Sequence, residues 1–206
     1  MPREAAAGPA PIRSFVAVLL PDAVRERIHA TASSLRERAP GVAWVRADNL
    51  HLTLRFLGGV EPAALAAVGA ALEGIAGEIA PFPVTLGGLG GFPGPRAPRV
   101  VWVGVTEGAA GLVALHARVE AALARVGIAP EGRAFHPHVT LGRARQGRSG
   151  PDLGVLAGPD WGSLGRFRVE AVHLMQSELG PQGARYDALA VHPLRGRSAH
   201  RDAEIR

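Results

Sequence analysis

Residues 49–58 read N-L-H-L-T-L-R-F-L-G, and residues 135–143 read F-H-P-H-V-T-L-G-R. Both contain H-x-T-L, as His51-Leu52-Thr53-Leu54 and as His138-Val139-Thr140-Leu141. Placed at random, the eight histidines and five threonines of a 206-residue chain give about 0.2 His-x-Thr pairs. This chain has two, both followed by leucine and separated by 87 residues. Along a strand, side chains alternate between faces. His51 and Thr53 therefore share one face while Leu52 points to the other, and His138 and Thr140 are set against Val139 in the same way. Each strand offers a polar pair to one side and aliphatic side chains to a core. Two such strands related by a pseudo-twofold axis would line one cleft with two imidazoles and two hydroxyls, with Arg143 at its rim.

The surrounding sequence supplies the elements for such a pair of halves. Arg13–Leu20 reads as a buried strand, and a helix over 22–38 follows, with Asp22 placed to cap it. Short and long strands are expected at 42–45 and 50–57, the second ended by Gly58-Gly59. An Ala-rich helix is expected at 62–79, with Pro62 in its first turn. Strands at 82–89 and 99–106 flank a Gly/Pro loop, and a third long helix covers 109–126. The second motif strand covers 138–143, and 144–164 reads as loop. Two closing strands are expected at 166–178 and 184–194. This order is α+β rather than a plain β-α-β alternation. Residues 1–11 and 195–206 read as a disordered start and a flexible tail around one domain over 12–194.

Composition narrows the class. Hydrophobic residues make up 47% and charged residues 20%, values that fit a globular chain with enough apolar surface for a core. Cysteine is absent, so neither disulfides nor cysteine metal sites are available. The longest apolar run, Phe15–Leu20, is too short to span a bilayer, and a cytoplasmic location is expected. All 23 basic residues are arginine and the formal charge is +5, which suits a phosphate-bearing partner. An arginine-for-lysine compositional bias explains the same count equally well.

The paired motifs suit phosphodiester cleavage. A neutral imidazole removes a proton from an attacking water, and a protonated one donates to the leaving alkoxide. An unperturbed pKa near 6.5 makes both forms accessible. The threonine hydroxyls and Arg143 are candidates to hold the non-bridging phosphate oxygens. His29 and His116 are expected to face solvent from helices, and His173, His192 and His200 to be structural or exposed. His136 and His138 form an H-P-H that also fits a metal site. No Asp, Glu or Cys lies close enough in sequence to complete one, so no metal and no cofactor are expected.

At these residues the chain resembles the two-histidine (2H) phosphoesterase superfamily, and within it the bacterial RNA 2',3'-cyclic phosphodiesterases long called 2'-5' RNA ligases. The likeness includes R-x-F-V-A-V at 13–18, W-V-R-A-D-N-L-H-L-T-L-R-F-L-G at 44–58, R-V-V-W-V-G at 99–104, F-H-P-H-V-T-L-G-R at 135–143, and L-M-Q-S with a later G-A-R-Y at 174–186. It implies a bilobal fold of two antiparallel sheets flanking a central cleft, with helices outside. It also implies opening of a 2',3'-cyclic phosphate to a 2'-phosphate. His51 is then the proton donor and His138 the acceptor, roles that the near-symmetric motifs do not assign by themselves. Thr53, Thr140 and Arg143 would hold the phosphate, and Phe15 or Phe135 is a candidate to stack on a base. The implied partners are RNA with cyclic phosphate ends, tRNA fragments among them, or small cyclic nucleotides, acted on by a monomer.

Other readings are reversible 2'-5' joining, a non-catalytic RNA-end binding module, and a 2H enzyme acting on another 2'-linked nucleotide. An adenylating ligase is excluded, because the chain has no lysine to carry the adenylate and no G-x-x-x-x-G-K-[ST] loop.

Overall fold

A computed structural model describes residues 10–156, 161–181 and 183–197. The expectations for residues 1–9, 157–160 and 198–206, including His200, lie outside the described residues.

The strands are β1 (Ile12–Leu19), β2 (Val42–Trp44), β3 (His51–Val60), β4 (Phe82–Phe92), β5 (Val100–Glu107), β6 (Val139–Ala144), β7 (Gly165–Val169), β8 (Ala171–Gly180) and β9 (Gly183–Pro193). The helices are α1 (Asp22–Thr31), α2 (Ser33–Arg38), α3 (Pro62–Glu78), α4 (Ala109–Arg125) and the short α5 (Leu153–Leu156). The chain is α+β, and its strands form a curled antiparallel sheet in the order β7-β4-β5-β6-β3-β1-β8-β9, with β2 added to β6. The two expected sheets are the two halves of this path. They meet where β3 pairs with β6 through Leu52 and Val139.

One face of the sheet carries the main core. Val16, Val18, Leu52, Leu141 and Leu174 pack there with Leu72 of α3 and Leu112 and Leu115 of α4. The other face of the first half holds a smaller cluster of Phe15, Ala17 and Met175, with Leu19 and Tyr186 against it. His51 and Thr53 lie on this second face, because they pair with Leu19 and Ala17 across β1.

Several boundaries differ from the sequence expectation for local reasons. The helix over 22–38 breaks at Ala32, within a Thr-Ala-Ser-Ser run of weak helix formers. Asp22 is the first helical residue rather than the cap. Pro21 takes the cap position, and the Asp22 carboxylate pairs with Arg25 in the first turn, where the helix dipole favours it. β3 continues through Gly58-Gly59 to Val60, with Gly58 at a φ of 70°. The single strand expected at 166–178 is two: β7 pairs with β4 at one edge, and after Glu170 the chain crosses to pair β8 with β1 in the other half. Residues 153–156 of the expected loop form α5, where Leu153 is buried.

Candidate active site

The site is built on the junction of the two halves. Leu52 and Val139 are opposite one another and fully buried. Extending that antiparallel register by one residue sets His51 across from Thr140, and Thr53 across from His138. Each motif thus presents its histidine to the other motif's threonine. His138 immediately precedes β6 rather than lying in it.

The leucine that closes each motif has a specific role. In β3, Arg55 pairs with Val16 and Thr53 with Ala17, so Leu54 has no partner on β1. In β6, Gly142 pairs with Val101 and Thr140 with Trp102, so Leu141 has no partner on β5. Both leucines are bulge residues, and both are buried in the core. A bulge shifts the alternation by one residue. Phe56 and Arg143, three residues beyond their threonines, therefore face the cleft. Arg55 is turned away from it.

The two imidazoles are held alike. Nδ1 of His51 donates to the Asn49 carbonyl at 2.7 Å, and Nδ1 of His138 donates to the His136 carbonyl at 2.6 Å. With Nδ1 carrying that proton, Nε2 is left as the working nitrogen of each ring. Nε2 of His51 lies 2.9 Å from Thr53 Oγ1. No such bond joins His138 to Thr140 among the described residues.

Burial pushes the His51 imidazole below the ordinary histidine value. Its bond to Asn49 opposes that shift and repulsion from His138 adds to it. Burial also pushes His138 down, opposed by its bond to His136 and reinforced by the positive charge of Arg143.

The cleft extends to both sides of the motif residues. On the His51 side a cavity of about 430 Å³ is lined by Arg13, Phe15, Leu179 and Tyr186, among others. On the His138 side a cavity of about 390 Å³ is lined by Phe92, Arg133, Phe135 and His136, among others. Thr53, Phe56, Thr140 and Arg143 line both, so the two cavities share a centre. A larger cavity of about 620 Å³ follows the seam between α3 and α4 and contains none of the motif residues.

A support for the second histidine was not legible in the sequence. Arg55, turned from the cleft by the bulge, is only 9% exposed. Its guanidinium is ion-paired with Glu120 of α4 at 2.5 Å and with Glu131 at 3.1 Å, and it donates to the Ala129 carbonyl. Glu120 also accepts the Glu131 backbone N–H at 2.9 Å. The loop that leads into His138 is thereby tied to the strand that carries His51. The His116 ring adds a further tie, stacking on Phe135 at 4.2 Å, so it does not stand free in solvent.

The other sequence candidates divide. The five named site residues gather at the cleft. Phe15 is 3% exposed and belongs to the small core, with its ring 4.9 Å from that of His51. Phe135 is held against His116. His192 is buried and bonded to Glu73 at 2.9 Å, as befits a structural residue. His29 lies 2.5 Å from Arg36 and is half-buried. Among the described residues, no group of three or more His, Asp or Glu side chains is arranged to hold a metal ion. No helix among them is long and apolar enough to cross a membrane.

Two histidines on facing strands, each paired with a threonine, define a two-histidine phosphoesterase fold, and solved structures agree. The Thermus thermophilus protein TT0787 is 29% identical with a TM-score of 0.74, over 91% of this chain and 100% of that one. Escherichia coli LigT complexed with 3'-AMP is 31% identical with a TM-score of 0.69, over 89% of this chain and 98% of that one. The model of the 2'-5' RNA ligase superfamily matches residues 20–181, and the chain belongs to that family.

Relatives named RNA 2',3'-cyclic phosphodiesterase include one from Aeropyrum pernix, 42% identical over 70% of this chain and 82% of its own length. Another, from Methanothermobacter thermautotrophicus, is 33% identical over 89% of this chain and 99% of its own. The chain is accordingly an enzyme of the phosphodiesterase kind.

Proposed function

We propose that the enzyme opens the terminal 2',3'-cyclic phosphate of RNA to a 2'-phosphate, by acid/base catalysis between His51 and His138 and without a metal ion. A water held by Nε2 of neutral His138 attacks phosphorus and gives its proton to that nitrogen. The bond from phosphorus to O3' breaks on the opposite side, and Nε2 of protonated His51 delivers a proton to O3'. Thr53, Thr140 and Arg143 take the non-bridging oxygens, where negative charge must be held as the ring opens. Proton transfer between solvent and the two rings resets the pair.

The observation that carries this reading is the common fixing of both imidazoles. Each Nδ1 is occupied by a backbone carbonyl two residues earlier, so each Nε2 is free to exchange protons in the same cleft. The assignment of roles rests on an asymmetry. Arg143 disfavours the charged form of His138 and so favours it as the base. Nε2 of charged His51 has the Thr53 hydroxyl as an acceptor until substrate arrives. The relatives' shared name supports the substrate class.

A second reading, reversible 2'-5' joining, is favoured by one feature. The cavity on the His138 side is far larger than one water, so a ribose 5'-hydroxyl could occupy the position of the nucleophile. The reaction would then run backwards from a 2'-5' linkage through the same two histidines.

Turnover of 2',3'-cyclic AMP in excess chelator, by wild type and by His51→Ala and His138→Ala, tests the proposal. Each substitution is expected to lower kcat by about 10²-fold or more while the protein stays folded. RNA-end binding with no turnover by wild type would point to a binding module instead.

A further inference from the structure

Phe56 is 51% exposed, an unusual state for a phenylalanine on a central strand of a sheet. The bulge at Leu54 puts it on the cleft face, at the position that corresponds to Arg143 in the other half. Its ring is 6.2 Å from that of Phe15, which backs it on the buried side, and it lines both cavities. Leu179, 73% exposed, and Tyr186, edge-on to His51 at 5.2 Å, line the same His51-side cavity. Two of the largest exposed apolar side chains among the described residues thus meet at one end of the cleft, beside groups suited to a phosphate.

The proposed chemistry says which end should hold the nucleoside. In an in-line displacement the attacking water and the leaving O3' lie on opposite sides of phosphorus. If His51 protonates O3', then the ribose, which carries both O2' and O3', lies on the His51 side, and only water need lie on the His138 side. The base attached to that ribose must then enter the cavity of Phe56, Leu179 and Tyr186. Phe56 is three residues beyond Thr53, a distance of about 7–10 Å along a strand, a span comparable with that from a cyclic phosphate to the base on the same ribose. On the His138 side, by contrast, Phe135 already stacks on His116 and Phe92 is set edge-on to His138 at 5.2 Å.

We propose that Phe56 is the platform for the terminal nucleobase, in a pocket completed by Leu179 and Tyr186, and that it sets the polarity of the substrate by breaking the twofold symmetry of the cleft. The inference rests on the proposed reaction and on its assignment of acid and base. Aromatic stacking on a base is tolerant of base identity, so this pocket accepts any of the four terminal nucleotides and discriminates against a ribose that lacks a base.

The test compares 2',3'-cyclic AMP with the 2',3'-cyclic phosphate of 1-O-methylribose, which has the reacting ring and no base. Phe56→Ala is expected to raise KM for the nucleotide about 10-fold or more, with kcat within roughly twofold and no change toward the base-free ester. Phe56→Trp is expected to restore the nucleotide KM. Equal loss toward both esters would overturn the platform and make Phe56 structural. An unchanged Phe56→Ala, with the nucleotide KM raised instead by Phe135→Ala, would put the base on the His138 side and overturn the proposal while leaving the reaction intact. Wild type inactive on both esters would instead sink the functional reading, and the proposal with it.

Discussion

Phe56 and Arg143 occupy equivalent positions in the two halves of the sheet, each three residues past a motif threonine and just beyond a bulged leucine. The histidines and threonines of the cleft obey the pseudo-twofold relation, and this pair breaks it. One half contributes an aromatic ring and the other a guanidinium, so a symmetric scaffold becomes a directional site. Arg143 is exposed to the cleft and has no carboxylate partner among the described residues.

Removing that cation should act chiefly on the transition state, where the phosphate oxygens carry most charge. Arg143→Ala is expected to lower kcat by about 10²-fold, and Arg143→Lys to recover only part of it, because lysine lacks the planar fork. Steady-state kinetics on a cyclic nucleotide reads both. A change in KM alone would mean that Arg143 binds ground state and transition state equally.

The pH dependence follows from the lowered histidine values. Activity requires His51 charged and His138 neutral, and burial disfavours the charged form of both. In the free enzyme the bell of kcat/KM should therefore lie on the acid side of the ordinary histidine value of about 6.5. A bound phosphate anion favours both charged forms, so the bell of kcat should move to higher pH. Paired profiles with one substrate test this. A profile flat between about pH 5 and 8 contradicts histidine acid/base catalysis.

Arg55 should act through position, since it does not reach the cleft. Arg55→Ala leaves the carboxylates of Glu120 and Glu131 without their partner and is expected to cost about 3 kcal/mol in urea unfolding. It should also loosen the loop leading to His138. The expected kinetic signature is a fall in kcat with an altered pH limb for His138, partly restored by Arg55→Lys. Lost stability with an unchanged pH profile would reduce Arg55 to a purely structural residue.

Gly90 supports the same side of the cleft by lacking a side chain. A Cβ there would collide with the Trp102 ring, and Trp102 packs 5.3 Å from Phe92 and 6.1 Å from His138. Gly90→Val must displace that ring, at about 1–3 kcal/mol of stability, and is expected to slow turnover more than it weakens binding. Kinetics equal to wild type would show that Trp102 does not steady His138.

The sequence makes one half of this arrangement plain. A repeated H-x-T-L on two strands puts His51, Thr53, His138 and Thr140 at one cleft, because alternation is a property of each strand alone. Bulges are a property of the pairing between strands. Nothing in Leu54 or Leu141 marks them as unpaired, so the turning of Arg55 away from the cleft and of Phe56 into it emerges only with the register of β1 and β5. The crossover at Glu170 is hidden for the same reason: the pattern around F-R-V-E-A-V-H-L continues unbroken while its partner strand changes. Phe15 is similarly ambiguous, an aromatic beside the motif whose burial depends on Met175 and Tyr186 from distant strands.

The most direct test of the account is the product formed from a 2',3'-cyclic nucleotide in excess chelator, identified by phosphorus NMR. The account predicts a 2'-phosphate, formed at the same rate with or without chelator and lost in both histidine variants. A 3'-phosphate would contradict the assignment of O3' as the leaving oxygen, and activity that disappears with chelator and returns with a divalent cation would contradict catalysis by the two histidines alone.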